Sequence, residues 1–227
     1  MTFAVLSPIF GLIGLTFLLR DVIPTGQVSY AEYILPAVVV QAMLFGALTT
    51  TDRAAWDKSS GLGTRMRTLP ISRFTPLMAR MTYALIRGVA AMAASVVAAG
   101  IFGFRLHVGL GYLVAFVALA LVLTLGLSFG ADAAGNKAAR TEVASQLLMV
   151  PQLLIVMLST GFAPVDAFPT WLHGFVRYQP ISQITETMRG FLAGHTDPAN
   201  LGTSLAWCVG LLIVFGAISV RLQGRTS

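Results

Sequence analysis

"GFAPVDAFPTWLHGFVRYQP", residues 161–180, places five aromatic residues and three prolines in one short stretch. It is too apolar for a solvated loop and too broken for a membrane-spanning helix. The rest of the chain supplies the solvent: 56% of the 227 residues are hydrophobic and 11% are charged, with a mean hydropathy of +0.79. That mix departs from a soluble domain and points to lipid.

Six apolar stretches are long enough to cross about 30 Å of hydrocarbon at about 1.5 Å per residue: 3–19, 33–51, 82–104, 109–131, 143–162 and 199–220. Only the third holds a formal charge, Arg87. The first has no basic region before it and no small-residue cleavage site after it, so it reads as a retained span and not a signal peptide.

The net charge of +6 does not mark a nucleic-acid binder, because the basic residues lie between apolar runs and are not gathered on one soluble face. Three of the segments outside the spans (52–73, 132–142 and the tail) hold nine Lys and Arg, against four (Arg20, Arg105, Arg177 and Arg189) in the alternate ones. The positive-inside bias therefore predicts that both termini are cytoplasmic, in a multi-pass protein of the cell membrane. Cys208, the single cysteine, lies in an apolar run and reads as packing.

No Walker A pattern, HExxH motif or cysteine pair occurs, which excludes a built-in P-loop ATPase or zinc protease and leaves no metal or cofactor assigned to this chain. An ion- or proton-coupled secondary transporter is the alternative, but it calls for acidic residues at mid-membrane, and Asp52, Asp132 and Glu142 fall at span ends. An intramembrane enzyme would need a clustered His, Glu or Ser–Lys set at depth, which the spans lack.

The loop 52–73, "DRAAWDKSSGLGTRMRTLPISR", has helical composition around 52–58, a break at 59–63 and a basic segment ending at Pro70. Leu62, Met66 and Leu69 share a helical face from which Arg65 and Arg67 project away, as in a short amphipathic helix along the membrane. A positive-inside anchor explains the arginines equally well, whereas Trp56 and the glycine break exceed what anchoring needs. Arg73, Arg80 and Arg87 recur every seven residues, near one helical face. They read either as a structural stripe or as contacts to anionic head groups, Arg73 and Arg80 by snorkelling and Arg87 through a carboxylate or carbonyl partner.

On the outer side, Ile181, Ile184, Met188, Phe191 and Leu192 have amphipathic helical spacing. Ser182 is the expected N-cap and Gly194 the expected stop, and a first short helix is expected from about Pro169. Glu186 and Arg189, three apart, are placed to pair, locally or in steering a substrate head group. Segment 162–192 is read as two short helices dipping into the outer leaflet without crossing, with Pro164, Pro169, Trp171, Pro180, Glu186 and Arg189 forming a gate.

"DKSSGLGTRMRTLPISR" resembles the cytoplasmic coupling segment of ABC-2 type permeases, matched at Asp57, Gly61, Leu69 and Pro70. "LSTGFAPVDAFPTWLHGFVRYQPISQITETMRGFLAG" resembles the segment before the last span of that family, matched at Gly161, Pro164, Pro169, Trp171, Pro180 and Arg189. "SFGADAAG" and "FVRYQPISQ" are similar to phrases of the DrrB/DrrC, daunorubicin-resistance branch. Two departures stand out: Asp57 replaces the more frequent Glu, and the chain begins almost inside its first span, where members usually carry a cytoplasmic segment.

The resemblance implies one ABC-2 membrane domain over 1–227, an all-α protein with six transmembrane helices, a coupling helix at about 52–70 and the outer re-entrant pair before the last span. It implies a permease subunit of an exporter, with ATP and Mg used by a separate ATP-binding subunit present as a homodimer, and a second permease, identical or related. Trp56, Asp57, Lys58, Gly61, Leu62, Arg65, Met66 and Pro70 would face the ATPase, and a hydrophobic drug or complex envelope lipid would be the cargo.

Overall fold

The computed structural model describes residues 2–19, 30–61, 70, 72, 74–102, 104, 108–138 and 143–225. They form eight α-helices and two 3₁₀ turns, with no strand among the described residues. The helices are α1 (Thr2–Leu19), α2 (Tyr30–Ser59), α3 (Thr75–Ile101), α4 (Leu110–Lys137), α5 (Ala144–Met157), α6 (His173–Tyr178), α7 (Pro180–Leu192) and α8 (Pro198–Arg225).

Four of these, α2, α3, α4 and α8, are long and apolar enough to cross a membrane. The expected spans at 3–19 and 143–162 coincide with helices of 18 and 14 residues. The second is the larger difference. Its helix stops at Met157, and the chain then turns through 158–164 with no further α-helix until His173. Summed hydropathy counts apolar residues, whereas a span also requires the backbone to keep bonding to itself.

α2 is the central helix, packing on α1, α3, α4, α5 and α7, while α4 packs on α8. Glycines set the closest approaches. A Cβ on Gly135 would lie 2.3 Å from the Thr51 carbonyl oxygen, so α4 and α2 meet backbone to backbone there. Gly126 and Gly130, four apart on α4, receive Leu211 and Phe215 of α8, the small-residue packing typical of helices in lipid. Hydroxyls inside the apolar helices are satisfied locally: Thr50, Thr51, Ser95 and Thr124 each donate to the carbonyl four residues earlier.

Candidate functional site

Two polar clusters sit at opposite ends of α2. The first is built on its C-terminal turns. The helical composition noted at 52–58 continues α2 without a break, so Trp56, Asp57 and Lys58 belong to the same rod as residues 33–51. The rod ends where Gly61 adopts φ 67°, a left-handed conformation that glycine adopts freely.

Trp56 is 61% exposed, and Lys58 reaches the Ala138 carbonyl at the end of α4 (3.3 Å). Pro70 is exposed. Leu62, Arg65, Met66 and Arg73, together with the expected amphipathic segment, lie outside the described residues.

Asp57 is turned toward α3. Its Oδ2 accepts from Arg80 at 2.8 Å. Arg80 Nε donates to Asp132 Oδ1 at 2.7 Å, and Asp132 Oδ2 accepts from Ser219 (2.5 Å) and Asn136 (3.1 Å). This clasp joins α2, α3, α4 and α8. Of the two readings of Arg80 it favours the structural one: the side chain is buried and bound to two carboxylates, so it does not snorkel to lipid phosphates. Asp132 lies in the last two turns of α4, as expected of a span end, and is fully buried. Its carboxylate is saturated with donors, as a buried charge must be.

The second cluster lies where the chain breaks after α5. Pro164 and Pro169 each precede a 3₁₀ turn, at Val165–Ala167 and Thr170–Leu172. Trp171 is 79% exposed. Pro180 opens α7, where its missing N–H costs nothing. The N-cap is Gln179, not Ser182. Ser182 is buried and its Oγ accepts from the Thr160 backbone N–H (3.0 Å), tying α7 to the break. Gly194, at φ 72°, ends α7 as expected, with His195 N–H bonding to the Gly190 carbonyl (3.0 Å) and Gly194 N–H to that of Phe191 (3.2 Å). The buried face of α7 includes Ile184, Met188, Phe191 and Leu192.

Arg189 is the clamp of this cluster. It pairs with Glu186 (2.8 Å), as its spacing predicts. It also donates to the carbonyls of Tyr33 (2.9 Å), Thr160 (3.0 Å) and Gly161 (2.8 Å) and lies over the Tyr33 ring at 3.7 Å. The Tyr33 hydroxyl donates to Thr160 as well (3.3 Å). The aromatic-rich break is thereby held to the start of α2.

Arg87 stands apart from both. Its expected carboxylate or carbonyl partner is replaced by a hydroxyl, Thr49 Oγ1, which accepts from Nη1. Gly46 makes room for it: a Cβ there would lie 2.6 Å from Arg87 Nη2. Among the described residues no group of three or more His, Cys, Asp or Glu is arranged to hold a metal ion.

A family model described as ABC-2 family transporter protein matches residues 6–221. The doxorubicin resistance ABC transporter permease protein DrrB of Mycobacterium tuberculosis is 31% identical over 203 residues, which are 87% of this chain and 70% of that protein. The daunorubicin resistance ABC transporter permease protein DrrB1 of Streptomyces coeruleorubidus is 26% identical over 218 residues, 96% of this chain and 77% of that protein. The probable doxorubicin resistance ABC transporter permease protein DrrC of Mycobacterium tuberculosis is 25% identical over 181 residues, 80% and 65% of the two chains. These matches agree with the four membrane-length helices: the chain is a permease and not an enzyme, and it belongs to the ABC-2 family of transporter proteins.

Proposed function

We propose that this chain is the transmembrane permease subunit of an ATP-driven exporter that moves a lipophilic substrate out of the cytoplasm or the inner leaflet. The substrate is a complex envelope lipid or a hydrophobic drug such as an anthracycline. ATP and Mg act in a separate ATP-binding subunit, two copies of which serve two permeases in the cell membrane, the second identical to this chain or related to it. Both termini face the cytoplasm in this reading.

The observation that carries the proposal is the clasp at the end of α2. Trp56 is exposed on the same helical turn that Asp57 fastens through Arg80 and Asp132 to α3, α4 and α8. A push on the exposed end of α2 by closing ATPases is therefore delivered to three other helices at once, without a flexible joint between. Packed helices with two arrangements convert such small shifts into a switch. Trp56, Lys58, Gly61, Leu62, Arg65, Met66 and Pro70 form the docking region, and Asp57 acts behind it as the fastening.

At the other end, 162–192 is an outer, non-spanning segment. Pro164, Pro169 and Pro180 keep its helices short, Trp171 sits at the interface, and the Arg189–Glu186 clamp holds the pair while cargo leaves. An apolar groove of about 640 Å³, lined by Tyr112, Leu119, Val122 and Phe191 among others, runs beside α7 and suits an alkyl or polycyclic body.

Trp56→Ala tests the docking role directly, because the side chain contributes little to the core. In proteoliposomes containing the ATP-binding subunit, the variant should assemble normally yet lose most of its substrate-stimulated ATP turnover and transport. Full retention of both, with the complex intact, would refute the lever.

A further inference from the structure

Arg87 lies near the middle of α3, about 18 Å along the helix from Thr75, is 6% exposed, and has no carboxylate within ion-pair distance among the described residues. A charge at such a position is costly unless something neutralises it. A second guanidinium adds to the imbalance: Arg53 of α2 lies over the Tyr83 ring at 3.9 Å, and Arg87 over the same ring at 5.8 Å.

The two arginines, with Thr49 and Tyr83, line one recess of about 180 Å³, whose remaining wall includes Pro8, Met43 and Phe45. No acidic residue lines it. Asp57 and Asp132, the carboxylates fastened to α3, are already taken by Arg80. Asp52, beside Arg53 in sequence, forms no ion pair among the described residues and is absent from the lining.

The geometry points to a binding site for the phosphate-type head group of an anionic amphiphile, with Arg53 and Arg87 as its cationic jaws. Guanidinium groups suit this because they present paired donors to tetrahedral oxyanions. Thr49, whose hydroxyl donates to the Gly46 carbonyl (2.9 Å) and accepts from Arg87, orients that guanidinium, and Gly46 lets Arg87 lie flat against α2. The apolar wall takes the start of the tail. An amphiphile bearing a protonated amine would meet two like charges here, so the site selects by sign. As a site for anionic lipid it does not rest on the exporter reading, and it is not the seat of a cationic drug.

Native mass spectrometry of the complex released from nanodiscs of mixed phosphatidylglycerol and phosphatidylcholine tests the inference without ATP or transport. The wild type should retain phosphatidylglycerol in preference to phosphatidylcholine. Retention should fall about 10-fold in Arg53→Met and in Arg87→Met, the loss of one charge-assisted contact. It should fall likewise in Gly46→Ala, which keeps both charges and displaces one. Arg221→Met, which removes an exposed charge on α8, should change nothing.

Arg53 is exposed, so its variant keeps the test decisive even if Arg87→Met fails to fold. Equal retention of the two lipids, loss in Arg221→Met as large as in Arg53→Met, or displacement of the lipid by millimolar inorganic phosphate would overturn the inference. Transport driven by ATP can succeed while lipid retention fails, and the reverse, so the two readings fall separately.

Discussion

Replacing Arg189 by Met removes five interactions from one place, and the geometry says how much each contributes. The Gly161 carbonyl, 2.8 Å from Nη2, loses the side-chain donor bound to it, at a cost of about 1–3 kcal/mol for a buried acceptor. Thr160 keeps the Tyr33 hydroxyl, and Tyr33 keeps its place in the α2 ladder, so their carbonyls lose less. The stack on Tyr33 contributes about 1–2 kcal/mol. The pair with Glu186 adds less than about 1 kcal/mol, because Glu186 is 42% exposed. The sum is about 2–6 kcal/mol, or about 4–24 °C in midpoint for a chain of this size. Glu186→Gln should cost about 1 kcal/mol at most. Arg189→Lys, able to reach one carbonyl at a time, should fall between the two. Thermal unfolding of the detergent-solubilised protein, followed by fluorescence-detected size exclusion, measures all three. If Arg189→Met is no less stable than Glu186→Gln, the clamp is not what holds the break to α2.

Gly135→Leu places a side chain where even a Cβ would sit 2.3 Å from the Thr51 carbonyl oxygen. It should cost more than the usual 1–3 kcal/mol of overpacking and abolish the monodisperse gel-filtration peak, while Gly111→Leu, at an open position, should leave it. Asp132→Ala leaves Arg80 with Asp57 alone and takes the acceptor from Ser219 and Asn136, with an expected loss of about 3 kcal/mol; Ser219→Ala, removing one hydroxyl donor, should cost about 1 kcal/mol, both read by thermal unfolding. Cys208 is fully buried, so a maleimide should label the native protein slowly and the unfolded protein stoichiometrically; rapid native labelling would mean that α8 does not pack as described.

What the residues disclosed beforehand was mostly local. The glycine stops at Gly61 and Gly194, the apolar face of 181–192 and the Glu186–Arg189 pair all depend on neighbours within one or two helical turns, which spacing alone reveals. The clasp depends on packing. Arg80 and Asp132 are 52 positions apart, and nothing in either helix says that the other lies against it, so the heptad stripe of arginines left a structural role and head-group contacts both open. Ser182 illustrates the same limit: its type suits a cap, but Gln179 takes that role and Ser182 serves a backbone N–H 22 residues away. The fifth apolar run outlasts its helix for a different reason. Residues 158–162 are apolar or small enough to continue a span, but the tight seat of Gly161 against Ala37 and the donors of Arg189 hold that backbone out of a helix. The signal available was the proline spacing that follows, which interrupts the helical pattern.

The most direct test is transport by the purified chain in proteoliposomes, with and without the ATP-binding subunit, using a fluorescent lipophilic substrate. The account predicts movement only when that subunit and Mg-ATP are both present, together with ATP turnover that rises on adding substrate and is lost in Trp56→Ala. Transport by this chain alone, driven by a proton or sodium gradient and indifferent to ATP, would contradict it.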